Sequence, residues 1–208
     1  MKLALPTLAL ALAASTSAQD YNQSAPFNLV IVSENKTVDG DYLASCHSGA
    51  GIESLCLTNQ PSTSKPDPTP ASVYQFNTTD TGATPNATIG QSGYLTWELH
   101  GADFNVSSAL AFYFSYSSNV VLPLFYPGID YSTVVPVAFD SNNLMNIQDY
   151  VIDTVNPPTY GDEKAYYRWY ACTTYYLGYT YVNLAWTLGE AAPQNPTCVK
   201  VDVKRVFV

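Results

Sequence analysis

Short runs rich in Val, Ile, Leu, Tyr, Phe and Trp recur along the chain between clusters of Gly, Pro, Asn, Asp and Ser, and helical periodicity is nearly absent. That alternation of apolar run and turn signal predicts an all-β protein. Strands are expected at 27–33, 41–46, 53–58, 73–77, 93–99, 109–115, 120–125, 134–139, 144–148, 165–173, 179–188 and 198–207. In the last of these, Val199, Val201 and Val203 fall on one side and Lys200, Asp202 and Lys204 on the other, which predicts one dry face and one wet face.

The strands can be grouped by fours. VYQFNTTD before GYLTWEL, and VPVAFDSNN before LMNIQ, each place an aromatic at a strand end, then Asp/Asn turn chemistry, then a new strand. If the C-terminal strand pairs with 27–33 and closes the ring, the outcome is a single barrel-like domain, β-trefoil-like, with an antiparallel β-sandwich as the alternative. QPSTSKPDPTPAS at 60–72 and the polar stretch at 78–92 are too proline-rich or too polar to hold a ladder and are expected as mobile loops of that one domain.

YYRWYACTTYYLGYTY, residues 166–181, carries eight aromatic rings in sixteen positions. Alternation places Tyr166, Arg168, Tyr170 and Cys172 on one face and Tyr167, Trp169 and Ala171 on the other; in the next strand it separates Tyr179, Tyr181, Asn183, Ala185 and Thr187 from Thr180, Val182, Leu184, Trp186 and Leu188. The second set in each strand reads as core, with Trp169 and Trp186 buried across neighbouring strands. The first set leaves Tyr166, Arg168, Tyr170, Tyr179 and Tyr181 as candidate ligand-binding residues. Tyrosine beside Asn or Arg is material for stacking on sugar rings, and it is equally ordinary filling of a half-wet sheet face.

The N-terminus changes the picture of where the chain works. Met1-Lys2, the apolar run 3–14 and Thr16-Ser17-Ala18 form the pattern of a cleaved secretory signal, so 1–18 is expected to be removed and 19–208 to be the mature domain. The apolar run is far shorter than the ~20 residues of a membrane span, no later stretch is long enough, and the end KVDVKRVFV lacks a glycolipid-anchor tail. Export also fits five Asn-x-Ser/Thr acceptors at Asn22, Asn35, Asn77, Asn86 and Asn105, while Asn195 is followed by proline and should be skipped. Four cysteines fit disulfides; Cys46 with Cys56 and Cys172 with Cys198 are favoured because each pair is local to a plausible hairpin or loop. Their spacing lacks the close paired ligands of a zinc site, and no cofactor is expected.

Once Lys2 is removed, seven Lys plus Arg face seventeen Asp plus Glu. A chain this acidic, with no basic cluster, has no attraction for nucleic acid or an anionic membrane. Standard catalytic motifs are also missing: no GxSxG, P-loop or GxGxxG is found, and neither His47 nor His100 lies in a metal-binding pattern. His47 in CHSGAGIES reads as a loop residue, or more sharply as a general base with Ser48 or Glu53 nearby. Asp149 with Asp153, or Asp162 with Glu163, would serve glycoside hydrolysis only across a cleft, and GDEK reads more simply as a solvated turn.

From PFNLV and YLASCHSGAGIESLCL through SNVVLPLF to YYRWYAC, LAWTLG, PQNPTC and VKVDVKRVFV, essentially the whole mature chain resembles a group of small secreted proteins of filamentous ascomycete fungi. A looser likeness, in the early PFN strand and the late W and C pattern, connects it with cell-wall-associated proteins of the same fungi. The resemblance implies secretion and an extracellular or cell-wall role and offers no catalytic residues to carry over. Two functions are therefore expected. The favoured one is a non-enzymatic extracellular protein that binds cell-wall polysaccharide or an extracellular protein; the alternative is a small secreted hydrolase built on His47 or a carboxylate pair.

Overall fold

Side chains that alternate between apolar and polar, and that are branched or aromatic, bury one face of an extended chain and leave the other accessible, so each such run must find a neighbouring strand for its backbone N–H and C=O groups. The computed structural model describes residues 21–62, 64, 70–79, 85–128, 130 and 132–208. The expected signal peptide at 1–18 and parts of the loops 60–72 and 78–92 lie outside the described residues.

Fifteen strands and no helix are found among the described residues. In chain order they are β1 (Tyr21–Gln23), β2 (Phe27–Val32), β3 (Leu43–Gly49), β4 (Ile52–Leu57), β5 (Gln75–Thr79), β6 (Tyr94–His100), β7 (Asn105–Phe114), β8 (Val120–Pro127), β9 (Ala138–Phe139), β10 (Met145–Ile152), β11 (Thr159–Tyr166), β12 (Trp169–Tyr176), β13 (Tyr179–Thr187), β14 (Val199–Lys200) and β15 (Asp202–Phe207). Ten form one antiparallel sheet in the order β1-β5-β6-β7-β8-β4-β13-β12-β14, with β3 on β4 beside that path and β8 also bonded to β13. The others form a three-stranded sheet, β11-β10-β9, and a two-stranded ribbon, β15-β2.

The protein is all-β, and among the described residues no closed barrel is formed. The C-terminal strand does pair with β2, over Asp202↔Val32 to Phe207↔Phe27, but this makes a separate ribbon instead of closing a trefoil-like ring. The two junctions read from the sequence are antiparallel neighbours, β5 with β6 and β9 with β10. The small sheets share one apolar cluster with the large one, through Phe27, Leu29 and Ile31 of β2, Val203 of β15, Phe139 of β9 and Met145 of β10 against Leu55, Leu110, Phe125, Leu184, Trp169 and Trp186. A sandwich-like layering is compatible with that packing.

Several boundaries differ from those expected. The run 165–173 is cut between Tyr166 and Trp169, where the chain leaves the three-stranded sheet and enters the large one. GDEK lies within β11 and is exposed throughout: Lys164 pairs with Asp149 and Tyr160 with Val151, while Gly161, Asp162 and Glu163 between them form the bulge where the register with β10 shifts. Only 138–139 of the expected strand 134–139 is a strand; Val134 and Val137 make isolated bridges, and Pro136 between them has no N–H to give. The β12–β13 hairpin turns on Leu177 and Gly178, both at positive φ (45° and 95°), the backbone that a two-residue hairpin needs.

The centre of the core is aromatic. Trp169 and Trp186 are register partners with ring centroids 4.7 Å apart, edge to face, and Phe112 of β7 packs against both. Trp169 is fully buried, and its Nε1–H donates to the Met145 carbonyl at 2.8 Å, which satisfies the one polar atom of the indole and ties β12 to β10. At the same end of β10, Arg205 of β15 lies over the rings of Phe139, the register partner of Met145, and Phe207, and donates to Asn143 Oδ1 at 2.9 Å. Trp169→Ala is expected to destabilise the fold by about 3–5 kcal/mol through the cavity and the orphaned Met145 carbonyl, read as a lowered midpoint in denaturant unfolding.

Candidate functional site

The face of the large sheet that turns away from the core is not wet. On it lie small residues, Ala109 and Ala111 of β7 and Ala185 of β13, all buried. Tyrosines cover that floor. Tyr113 of β7 packs edge to face on Tyr176 of β12 at 4.8 Å, and the Tyr126 and Tyr176 hydroxyls are 3.3 Å apart. Burial first, then the neighbouring Tyr176 phenol, pushes the Tyr126 phenol well above the usual tyrosine range.

The loop 188–198 crosses the same face. Asn119 holds it by donating from its backbone N to Gln194 Oε1 (2.9 Å) and from Nδ2 to the Ala192 carbonyl (3.1 Å), and the Cys172–Cys198 disulfide fixes its far end. On one side of this loop lies a groove of about 310 Å³, lined by Tyr113, Ser115, Ser118, Val120, Leu122, Thr173, Thr174, Tyr175 and Asn195. On the other lies a cavity of about 330 Å³ with Tyr166, Tyr167, Arg168, Tyr170, Thr187 and Glu190 among its walls.

The groove carries no charged side chain. Tyr175 is 72% exposed and Tyr113 42%, so two rings are open to a ligand. Ser118 Oγ accepts from the Val120 N–H and Thr174 Oγ1 from Asn183 Nδ2, which leaves each hydroxyl with a hydrogen to donate. Asn195 is itself committed: its Nδ2 donates to the Thr173 carbonyl and its Oδ1 accepts from Thr197. Sequence reasoning missed Tyr113 and Ser118 because they come from β7 and the β7–β8 turn, and only the sheet order brings them to the groove that Tyr175 also lines.

Of the five ligand residues expected from the sequence, the fold brings three together. Tyr166, Arg168 and Tyr170 line the second cavity, with the Arg168 guanidinium 4.6 Å above the Tyr166 ring and Lys200 Nζ 5.3 Å from that of Tyr170. Tyr181 is not on the surface. It is 1% exposed, packed with Cys46 and Cys56, and its hydroxyl donates to the His47 carbonyl. Tyr179 sits at the far end of the hairpin, opposite Tyr176, edge to face with His47. The face of β13 that was expected to be half wet is dry because disulfide, loop and tyrosines all cover it.

Both disulfides are those expected, Cys46–Cys56 and Cys172–Cys198. His47 is a strand residue of β3, not a loop residue, and stands opposite Glu53 with Nδ1 3.5 Å from Oε1. Ser48 points elsewhere, its hydroxyl bonded to Ser54 and the Cys46 carbonyl, so no nucleophile joins the pair. Asp149, Asp153, Asp162 and Glu163 are exposed, and none lines either cavity. Among the described residues no group of three or more metal-ligating side chains is found.

The comparisons with known proteins give a family and no more. Residues 24–207 match a family described as a domain of unknown function (DUF7907). The chain belongs to that family. No curated protein matches it, and no solved structure does. For this DUF7907 member the two disulfides fit an extracellular protein, and among the described residues no helix is long and apolar enough to cross a membrane.

Two measurements follow from the geometry of the DUF7907 chain. Burial raises the Glu53 carboxyl above the ordinary 4.5, with the His47 beside it pulling the other way. A carboxyl raised on folding lends stability below its unfolded pKa and loses it as pH rises through the folded value. Glu53→Gln should therefore flatten the decline in melting temperature on going upward from pH 4.5, and an unchanged profile would refute that assignment. Among the acceptors, Asn22, Asn35, Asn86 and Asn105 are exposed, whereas Asn77 lies inside the β1-β5-β6 ladder, its Oδ1 buried and its Nδ2 turned to Thr96. Peptide mapping of the protein produced through a eukaryotic secretory pathway is expected to find Asn77 bare and glycan at the other four.

Proposed function

We propose that this chain is an exported, N-glycosylated protein of the fungal cell surface or wall that binds neutral carbohydrate without catalysing a reaction, and that it does so in the groove between Tyr113 and Tyr175. The lining of that groove carries the reading: exposed phenol rings beside serine and threonine hydroxyls, with no charge among them. A sugar ring offers an apolar C–H face and a belt of hydroxyls, and open rings flanked by short donors and acceptors complement both. The volume, about 310 Å³, is at the lower end of ligand pockets, which suits a site that takes one portion of a larger molecule. A net charge of −9 disfavours polyanions as ligands. Export is supported by the leader-like first eighteen residues, the paired cysteines and the exposed acceptor asparagines.

The hydrolase reading has one observation in its favour, the His47–Glu53 contact at 3.5 Å. It lacks a partner group: neither cavity beside the 188–198 loop includes His47 or Glu53.

Retention of the secreted protein on insoluble chitin, β-glucan, cellulose and mannan is the direct test. Binding to one polymer is expected, reduced about tenfold by Tyr175→Ala, since losing one aromatic anchor costs on the order of 1–2 kcal/mol. Tyr175 is so exposed that the variant should melt with the wild type. Retention on none of the four, or retention indifferent to Tyr175, would refute the assignment.

A further inference from the structure

The second cavity has the marks of a binding site that the groove alone does not explain. Thr187 at its floor is 2% exposed, and its hydroxyl finds no hydrogen-bond partner among the described residues. A buried hydroxyl left unpaired costs roughly 1–3 kcal/mol, so its retention at the wall of a cavity points to a partner that arrives from outside. Beside it, Arg168 is held over the Tyr166 ring while its nearest carboxylate, Glu190, is 3.8 Å away and 83% exposed. That distance is too long for a hydrogen bond, so both the guanidinium fork and the carboxylate retain capacity for a ligand.

The two cavities share a floor. Val120 of the groove and Thr187 of the second cavity are direct register partners between β8 and β13, so their Cβ atoms are about 5 Å apart. On β12, Tyr170 of one and Thr174 of the other are four residues apart, roughly 14 Å along the strand. The 188–198 loop contributes to both, Glu190 to the second cavity and Asn195 to the groove.

We infer that the two cavities are successive subsites of one track, and that the ligand is a linear neutral polysaccharide bound along its length, not a terminal sugar. The inference rests on the carbohydrate reading above. A linear polymer presents the same ring and hydroxyls at each repeat, so one portion can stack on Tyr175 while a later one offers its hydroxyls to Thr187, Arg168 and Glu190. A neutral chain suits Arg168 and Glu190 together, because a hydroxyl both accepts from the guanidinium and donates to the carboxylate. An anionic chain would be repelled by Glu190.

The test is a length series measured by calorimetry on the secreted full-length protein. The probes are chito-, cello-, laminari- and manno-oligosaccharides from two to eight units. In the series that binds, affinity is expected to rise at least about tenfold from short to long oligomers. Thr187→Val keeps the side-chain shape and removes only the hydroxyl; with Arg168→Ala, it is expected to abolish most of that rise while melting within a few degrees of the wild type. A merely structural hydroxyl would leave the length dependence untouched. Affinity independent of length, or a rise that survives both substitutions while Tyr175→Ala still weakens binding, would overturn the second subsite and leave the groove standing. No binding by the wild type at any length would overturn both.

Discussion

The indole of Trp169 is the constraint on which the rest of the molecule depends. It sits where the chain passes from the three-stranded sheet into the ten-stranded one, and it does three things there at once. Its ring packs on Trp186 and Phe112, filling the centre of the core; its N–H satisfies the Met145 carbonyl, joining the sheets; and its backbone continues the ladder of β12. Lys200 holds the same crossing from outside, donating from Nζ to the carbonyls of Tyr167, Trp169 and Val201. Burial lowers the pKa of that ammonium, with Asp202 opposing, as expected of a cation used as a structural clasp.

That crossing also makes the surface. Because the strand breaks at 167–168, Tyr166 ends one sheet, Tyr170 belongs to another, and Arg168 between them lies over the ring of the first. Tyr167 is anchored in turn: its hydroxyl donates to Asp140 at 2.8 Å, and burial together with that carboxylate pushes its phenol up to about 12. A core interaction therefore fixes side chains that open onto solvent, and binding groups held by packed strands are better placed than groups on free loops.

The outer face shows a second economy of design. Alanines on β7 and β13 leave room above the sheet, and the protein fills it with tyrosine rings and with a loop that a disulfide and Asn119 pin down. The same loop serves the sheet edge, since Asn195 and Thr197 bond the Thr173 backbone where β14 no longer covers β12. An edge closed by side chains cannot recruit a foreign strand. What stays open is the pair of recesses beside the loop, where rings and hydroxyls are left to face a ligand.

Local pattern alone determined the class of fold, most strand positions, the burial of Trp169 and Trp186, the dry side of Val201 and Val203, and the pairing of the cysteines, whereas Val199 is only half-buried and its short strand belongs to a different sheet from Val203. Each is decided over a few residues by alternation, turn chemistry or short separation, and so each is visible in one dimension. Alternation, however, says only that two faces differ; it does not say what covers them. Tyr181 looked half wet and is buried because Cys46 and Cys56, more than a hundred residues earlier in the chain, pack on it. GDEK looked like a free turn and is a bulge within β11, held because Lys164 and Tyr160 on either side of Gly161–Glu163 pair with β10, and the barrel failed to close because β2 and β15 found each other outside the large sheet. Tyr113 and Tyr175 come to line one groove, and Val120 meets Thr187, only through the order of strands in that sheet. Long-range pairing is a choice among many partners of similar local merit, and it is settled by how all the buried faces fit at once, which is why the site belongs to the tertiary structure and the strands to the sequence.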